Sequence, residues 1–471
     1  MENPEQSLPD DYAEDLSGAI RAAVAASGRK LIALDDDPTG VQTVHDVPVL
    51  ARWGVPDLVA ELTLPEPLAF ILTNSRSLPE TEAIGLNREI ASNLREASRL
   101  TGRAFALASR SDSTLRGHFP AETDALAETL GAIDGVLLVP AFFEGGRITI
   151  DDVHYVREGG RLVPAGETEF AGDATFGYRS SHLPTWIEEK TGGRVAANTV
   201  ASLSLDLIRR GGPPAVAAEL ARVRSGQVVV VNAASERDLQ VVALAVLQAE
   251  AAGRRFLYRT GASFVRARAG LSPRPLLTRA ELVGAAAPIP LPGMVFVGSH
   301  VRRSSEQLAR LLALPGTESI EVDVAALGTV SSRIAVIKQA RDAAHAALAV
   351  GQTAVIFTSR DLVTVASPEA QLTLSRDVSA ALVEIGTGIG HGAVEPRWIV
   401  AKGGITSSDI GTRGLGMTRA IVVGQVKPGV PVWRLGPETR FPGLPYVVFP
   451  GNVGSEDTLA EIVDLLVGRS S

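Results

Sequence analysis

Two polar runs follow apolar, strand-like sequence in the first half of the chain. The first is Asp35-Asp36-Asp37-Pro38-Thr39-Gly40. Asp36 or Asp37 could take a proton from a hydroxyl group, Thr39 could bond to a ligand or cap a helix, and Gly40 would let backbone approach a ligand closely. The second covers 108–119 and holds Asp112, Ser113, Thr114, Arg116 and Gly117, with Arg110 just ahead of them. Arg76, in Thr-Asn-Ser-Arg-Ser, and Arg147, behind Glu144-Gly-Gly, occupy comparable places after two other apolar runs. A planar guanidinium binds a carboxylate or phosphate through two parallel hydrogen bonds, so the combined set suits an anionic, hydroxylated small molecule. Asp, Pro and Gly are also ordinary turn residues, and each arginine could instead pair with a local aspartate.

The second half carries a different chemistry. Small-residue loops follow three apolar runs: Gly298-Ser299-His300, then Lys402-Gly403-Gly404-Ile405-Thr406-Ser407-Ser408-Asp409, then Pro450-Gly451-Asn452-Val453-Gly454. Such loops can wrap phosphate with backbone N–H groups, and three of them favour a nucleotide site. The common alternatives lack their signatures. There is no Gly-x4-Gly-Lys-Ser/Thr, and Gly386-Thr-Gly-Ile-Gly390 has no strand before it and its third glycine is misplaced for a dinucleotide fold. No nucleophile elbow occurs in a strand-to-helix context, and the seven histidines have no metal-ligand spacing.

The elements that must position these residues follow from the alternation of short Val/Ile/Leu runs with longer Ala/Leu/Glu/Arg segments. This rhythm predicts βα units and an α/β fold of two domains, each built on a mainly parallel sheet. Strands are expected over 31–34, 68–73, 104–108, 136–139, 227–232 and 256–259, then over 294–297, 319–322, 354–358, 398–401, 420–423 and 446–449. Ligands of open parallel sheets sit at the carboxyl ends of the strands, where the polar runs lie. The Ala/Pro/Gly stretch 284–293 reads as a linker, giving domains at 1–285 and 286–471, with 1–15 as a mobile extension. Residues 149–181 break the rhythm and read as a hairpin plus loop beside the first sheet, in the manner of a lid.

Composition narrows the partners. A chain of 471 residues with 45% hydrophobic residues can build two cores. A net charge of −8 with no Lys/Arg block argues against nucleic acid, and no apolar run is long enough to span a bilayer. The acidic start lacks the features of a signal peptide, and the absence of cysteine excludes disulfides and thiolate chemistry. A cytoplasmic location is the expectation, and a homo-oligomer is left open.

Asp36-Asp37-Pro-Thr-Gly40, Asp112-Ser-Thr-Leu-Arg-Gly117, Pro140-Ala-Phe through Gly146-Arg147, Thr168-Glu-Phe170 with Asp173, and the three glycine loops together resemble the four-carbon acid sugar kinase family nearly end to end. The resemblance implies an N-terminal domain for a threonate, erythronate or 3-oxo-tetronate type acid and a C-terminal domain for ATP, with Mg2+ and a cleft between them. It further implies that Asp36, Asp112 and Arg116 line the acid site and that Ser299, Gly403 to Thr406 and Gly451 contact nucleotide. Metal ligands are not indicated. Many members read Gly-Glu-Thr-Ser-Gly where this chain has Gly404-Ile-Thr-Ser-Ser408, so Ile405 replaces a carboxylate for which Asp409 is the nearest substitute. The rival readings are a sugar-acid sensor without chemistry, and a dehydrogenase or lyase acting on the same acids.

Overall fold

The structure is a computed structural model in which residues 4–299, 301–360, 368–389 and 394–469 are described. The chain is α/β and divides into two compact units, Met1–Pro273 and Arg274–Ser471.

In the first unit the strands are β1 (Lys30–Asp35), β2 (Val47–Leu50), β3 (Leu68–Leu72), β4 (Phe105–Arg110), β5 (Gly135–Val139), β6 (Arg147–Ile150), β7 (Val153–Glu158), β8 (Arg161–Pro164), β9 (Ala201–Leu203), β10 (Gln227–Val231) and β11 (Phe256–Thr260). Eight of them lie side by side in the order β2-β3-β1-β4-β11-β5-β10-β9, all parallel. The central strands β1, β3 and β5 are buried along their whole length, which explains their unbroken apolar runs. Register sets the site. Leu72, Asp35, Arg110, Thr260 and Val139 pair in one row across five strands, so the polar residues that follow emerge together at one edge.

Residues 147–164 form a three-stranded antiparallel sheet, β6-β7-β8, rather than a single hairpin. Gly159 and Gly160, at φ +54° and +80°, make the tight turn between β7 and β8. Short turns at Ala165–Glu167 and Glu169–Gly172 carry the chain onward. Side chains from elsewhere in the unit reach the stretch read as an extension: Arg209 donates to Pro9 O at 2.5 Å and pairs with Asp11 at 2.9 Å, and Arg157 pairs with Glu5 at 2.5 Å.

The second unit contains β12 (Met294–Val297), β13 (Thr317–Val322), β14 (Thr353–Thr358), β15 (Ile399–Lys402), β16 (Arg419–Lys427), β17 (Val430–Leu435) and β18 (Pro445–Phe449), in the order β13-β14-β12-β15-β18-β17-β16. Five strands are parallel, and β17 runs antiparallel to both neighbours. This unit starts ahead of the stretch read as a linker: Leu277 N donates to Gln425 O at 2.7 Å and Arg274 to Val423 O at 2.9 Å. Here too one row, Phe357, Val297, Lys402 and Phe449, brings three glycine loops out at adjacent strand ends. No helix among the described residues is long and apolar enough to cross a membrane.

Candidate functional site

At the carboxyl edge of β1, β3, β4 and β11, aspartates and arginines interlock. Arg76 pairs with Asp37 and reaches Asp112 at 3.5 Å, and Arg116 Nε donates to Asp112 at 2.7 Å while its other end lies 3.6 Å from Asp173. Arg110 NH1 donates to Asp35 at 3.2 Å. Thr39 gives Asp37 Oδ1 its backbone N–H at 2.8 Å and its hydroxyl at 2.5 Å, and Thr114 gives its hydroxyl to Asp112.

These contacts set the charges. Burial works to raise Asp37 and Asp112, but Arg76, with Thr39 for the one and Arg116 for the other, outweighs it and holds both carboxyls below their ordinary value. Burial likewise opposes the charge on Arg76, and the surrounding carboxylates overcome it and raise its pKa. Asp35 is the exception. It is 1% exposed, its Oδ2 has no partner among the described residues, and burial pushes its carboxyl up to about 8. Gly40 is required beside it, since a Cβ there would lie 2.0 Å from Asp35 Oδ1.

Asp36 stands apart from the ion pairs. It is buried, with Oδ2 accepting from Ser111 Oγ at 2.5 Å and Oδ1 without a partner among the described residues. Gly117, at φ +116°, leaves room for that contact, because a Cβ would come within 2.6 Å of Ser111 Oγ and 3.2 Å of Asp36 Oδ2. The loop from Asp112 to Gly117 is pinned through its carbonyls. His154 Nε2 donates to Ser113 O at 2.7 Å, Tyr178 to Thr114 O at 2.7 Å, and Arg259 to Arg116 O at 3.0 Å. Burial holds His154 down at about 4, so the ring is neutral at pH 7 and donates from one nitrogen while the other accepts from Thr149 at 3.0 Å.

All the first-half residues singled out in the sequence, Asp36, Asp37, Thr39, Gly40, Arg76, Asp112, Ser113, Thr114, Arg116, Gly117 and Arg147, fall in this unit at its strand ends or on β6. Two others went unnoticed. Arg259 is 2% exposed near the end of β11, close enough to Asp36 and Glu122 to feel their charge, and burial lowers its pKa. Glu122 accepts from Ser75 Oγ at 2.5 Å, and burial together with the charge of Asp36 raises its carboxyl. An arginine inside the otherwise apolar Phe-Leu-Tyr-Arg-Thr strand was the available signal. Glu122 also puts a carboxylate in the first turn of the helix Ala121–Leu130, so the positive charge of the site comes from guanidinium groups.

The second unit gathers its loops around Ser299. Ser304 donates to Ser299 Oγ at 3.0 Å, a Cβ on Gly403 would lie 3.1 Å from Ser299 Cβ, and one on Gly451 would lie 3.4 Å from Ser299 Oγ. Gly403 adopts φ +111°, and Thr406 fills the space beside Gly298, where a Cβ would meet its Oγ1 at 2.4 Å. Gly454, at φ +82°, packs on Thr458, and Asn452 and Ile405 are exposed. Asp409 accepts from Ser379 and lies 3.7 Å from Arg413. His300 lies outside the described residues.

Two cations here have no role assigned from the sequence. Lys402, fully buried, donates to Pro450 O at 2.7 Å and Gly451 O at 3.1 Å with its ammonium 4.0 Å from the Phe449 ring centroid. Burial, with Arg303 nearby, pushes it down to about 7. Arg360 donates to Ser299 O at 2.8 Å and Ser305 Oγ at 2.6 Å, and its Nε and NH1 are buried without partners among the described residues. Neither has a carboxylate within ion-pair distance among those residues, so a polyanion such as a nucleotide phosphate chain fits the loops. There is also no group of three His, Cys, Asp or Glu side chains among the described residues that would hold a metal.

Comparison with known proteins follows the same division. A family described as a sugar-binding N-terminal domain matches residues 31–268, and one described as a nucleotide-binding C-terminal domain matches residues 294–459. A D-threonate kinase of Bordetella bronchiseptica is 31% identical over 219 residues, 45% of this chain and 48% of that protein. A D-erythronate kinase of Heliobacterium modesticaldum is 28% identical over 176 residues, 37% of this chain and 36% of that protein. The chain therefore aligns with less than half the length of these relatives. Solved structures share the fold: a Salmonella typhimurium LT2 protein (TM-score 0.65, 19% identity, 92% of this chain and 98% of that one) and a Haemophilus influenzae protein (TM-score 0.59, 19% identity, 92% and 100%). With a sugar-binding match over the aspartate–arginine unit and a nucleotide-binding match over the glycine-loop unit, the chain belongs to the four-carbon acid sugar kinase family.

Proposed function

We propose that this protein transfers the γ-phosphoryl group of ATP to a hydroxyl of a four-carbon sugar acid of the threonate, erythronate or 3-oxo-tetronate class. Asp36 carries the reading: a buried carboxylate with one oxygen fixed by Ser111 and the other without a partner among the described residues, set among guanidinium groups. In this role Asp36 accepts the proton of the attacking hydroxyl, which such a base accelerates by about 10²–10⁴-fold. The arginines at the strand ends hold the acid. Asp37 and Asp112 remain ionised at neutral pH and fix Arg76 and Arg116 in place rather than moving protons. Carboxylates so firmly paired make poor bases, so the proton falls to Asp36.

On the nucleotide side, the glycine loops at 298, 403 and 451 would offer backbone N–H groups to phosphate, and Lys402 and Arg360 supply the charge. Phosphoryl transfer is mostly positioning and neutralisation of charge, which these groups suit. Mg2+, arriving with the nucleotide, would supply further neutralisation of phosphate charge beside Lys402 and Arg360.

An ADP-release screen over threonates, erythronates and their 3-oxo forms, with Mg2+ present, is the test. Turnover of at least one acid is expected. No release with any of them would overturn the reading, and absence of ATP binding by calorimetry would favour the sensor.

A further inference from the structure

Among the arginines of the first-unit site, three are matched by carboxylates: Arg76 by Asp37 and Asp112, Arg110 by Asp35, and Arg116 by Asp112 and Asp173. Arg259 has no ion pair among the described residues but is sealed from solvent and lies in the field of Asp36 and Glu122. Arg147 is different. It is partly exposed, no carboxylate lies within 4.0 Å among the described residues, its NH1 reaches only Gly145 O, and its Nε is buried without a partner. Burial lowers its pKa and the charge of Arg116 adds to that, while the more distant charges of Asp112 and Glu158 offset only part of the loss.

A guanidinium left uncompensated in a desolvated place is costly unless a partner arrives. Its placement is nonetheless firm. Its Cζ lies 5.9 Å from the Phe142 ring centroid and 5.6 Å from that of Phe170, and the same Phe170 ring carries Arg116 Cζ at 5.1 Å. Phe170 thus ties the matched arginine to the unmatched one, with Asp112 and its hydroxyl-rich loop beside them.

We propose that Arg147 is the residue that reads the substrate's carboxylate, so that specificity for an acid over its uncharged counterpart resides in this side chain rather than in Arg76 or Arg116. The assignment rests on the sugar-acid reading above and names the group responsible. A bidentate carboxylate would supply the counter-charge and accept from the unpartnered nitrogen face. A site built for that contact rejects an analogue that cannot make it.

The test compares D-erythronate and D-threonate with their neutral amides in the full-length protein, by calorimetric binding and by ADP release. Wild type should prefer acid to amide, and R147Q should cut that preference about 100-fold in both measurements. R147K keeps the charge but not the fork, and should lose about 10-fold. ATP binding and the melting temperature report whether each variant has folded. Wild-type preference surviving in R147Q, or vanishing in R76Q alone, would overturn the assignment. Because binding is read apart from turnover, a wild type that binds acid in an Arg147-dependent way yet releases no ADP would support Arg147 while sinking the kinase reading.

Discussion

The two units solve opposite electrostatic problems at equivalent places, the carboxyl ends of parallel strands. In the first, cations and carboxylates interleave: Arg76, Arg110 and Arg116 each lie against an aspartate, and the ion pairs tie together residues 36 to 75 positions apart. In the second, Lys402 and Arg360 donate to carbonyls and hydroxyls, with no carboxylate in ion-pair distance among the described residues, and Gly403 and Gly451 bring their backbones close to Ser299. A nearly neutralised network grips a small ligand through a few directed bonds. An unneutralised loop cluster suits a ligand bringing several negative charges of its own.

The sharpest way to break this contrast is at Asp36. Asp36→Asn keeps shape and an acceptor for Ser111 but cannot take a proton, so kcat should fall about a thousandfold with acid and ATP affinities retained. Steady-state ADP release paired with calorimetry checks it, and turnover near wild type would remove Asp36 as the base.

Smaller effects are expected in the second unit, confined to nucleotide. Gly403→Ala forces a Cβ into a backbone at φ +111° and to 3.1 Å from Ser299 Cβ, a strain of about 1–3 kcal/mol. ATP should bind about 10-fold more weakly and acid as before; equal losses for both ligands would contradict the separation of roles. Lys402 adds a pH signature. Burial places it at about 7, so it is mostly neutral at pH 8, and nearby phosphate favours the charged form. ATP binding at pH 8 should therefore take up a proton and strengthen as pH falls towards 6.5. Calorimetry in buffers of different ionisation enthalpy reads the uptake, which Lys402→Met should abolish.

Much of this was legible in sequence because buried parallel strands write themselves as short apolar runs and their ends as abrupt polar ones. All twelve expected strands are present, with ends shifted by a few residues. Ala201–Leu203 is too short to announce itself, Val47–Leu50 is interrupted by Pro48, and Val430–Leu435 follows β16 across a tight turn that leaves no βα rhythm. The site residues were visible by type, but their pairing was not. That Asp37 belongs to Arg76, Asp112 to two arginines and Asp36 to Ser111 depends on strand order, which no local spacing encodes. Arg259 and Lys402 were hidden inside strand sequence, where a lone charge reads as a strand boundary.

The last effect is read in stability rather than in ligand binding, because Asp35 behaves opposite to its neighbours. Asp37 and Asp112, held below their ordinary values, contribute stability that is present above about pH 4 and lost as pH falls through their folded pKa values. Asp35, raised by burial to about 8, keeps a proton in the folded chain that the unfolded chain has released above about pH 4. Folding then takes up a proton between those limits, so this group's share of stability declines as pH rises from about 4 to 8 and is level outside that window. The Arg110 contact at 3.2 Å favours the ionised form and already limits the rise that burial alone would produce, so the slope stays below about 1.4 kcal/mol per pH unit. Asp35→Asn retains an acceptor for Arg110 but has no proton to lose. Urea melts at pH 5, 6, 7 and 8 should show the variant gaining on wild type at each step; parallel curves would mean that Arg110 keeps Asp35 ionised throughout, as Arg76 keeps Asp37.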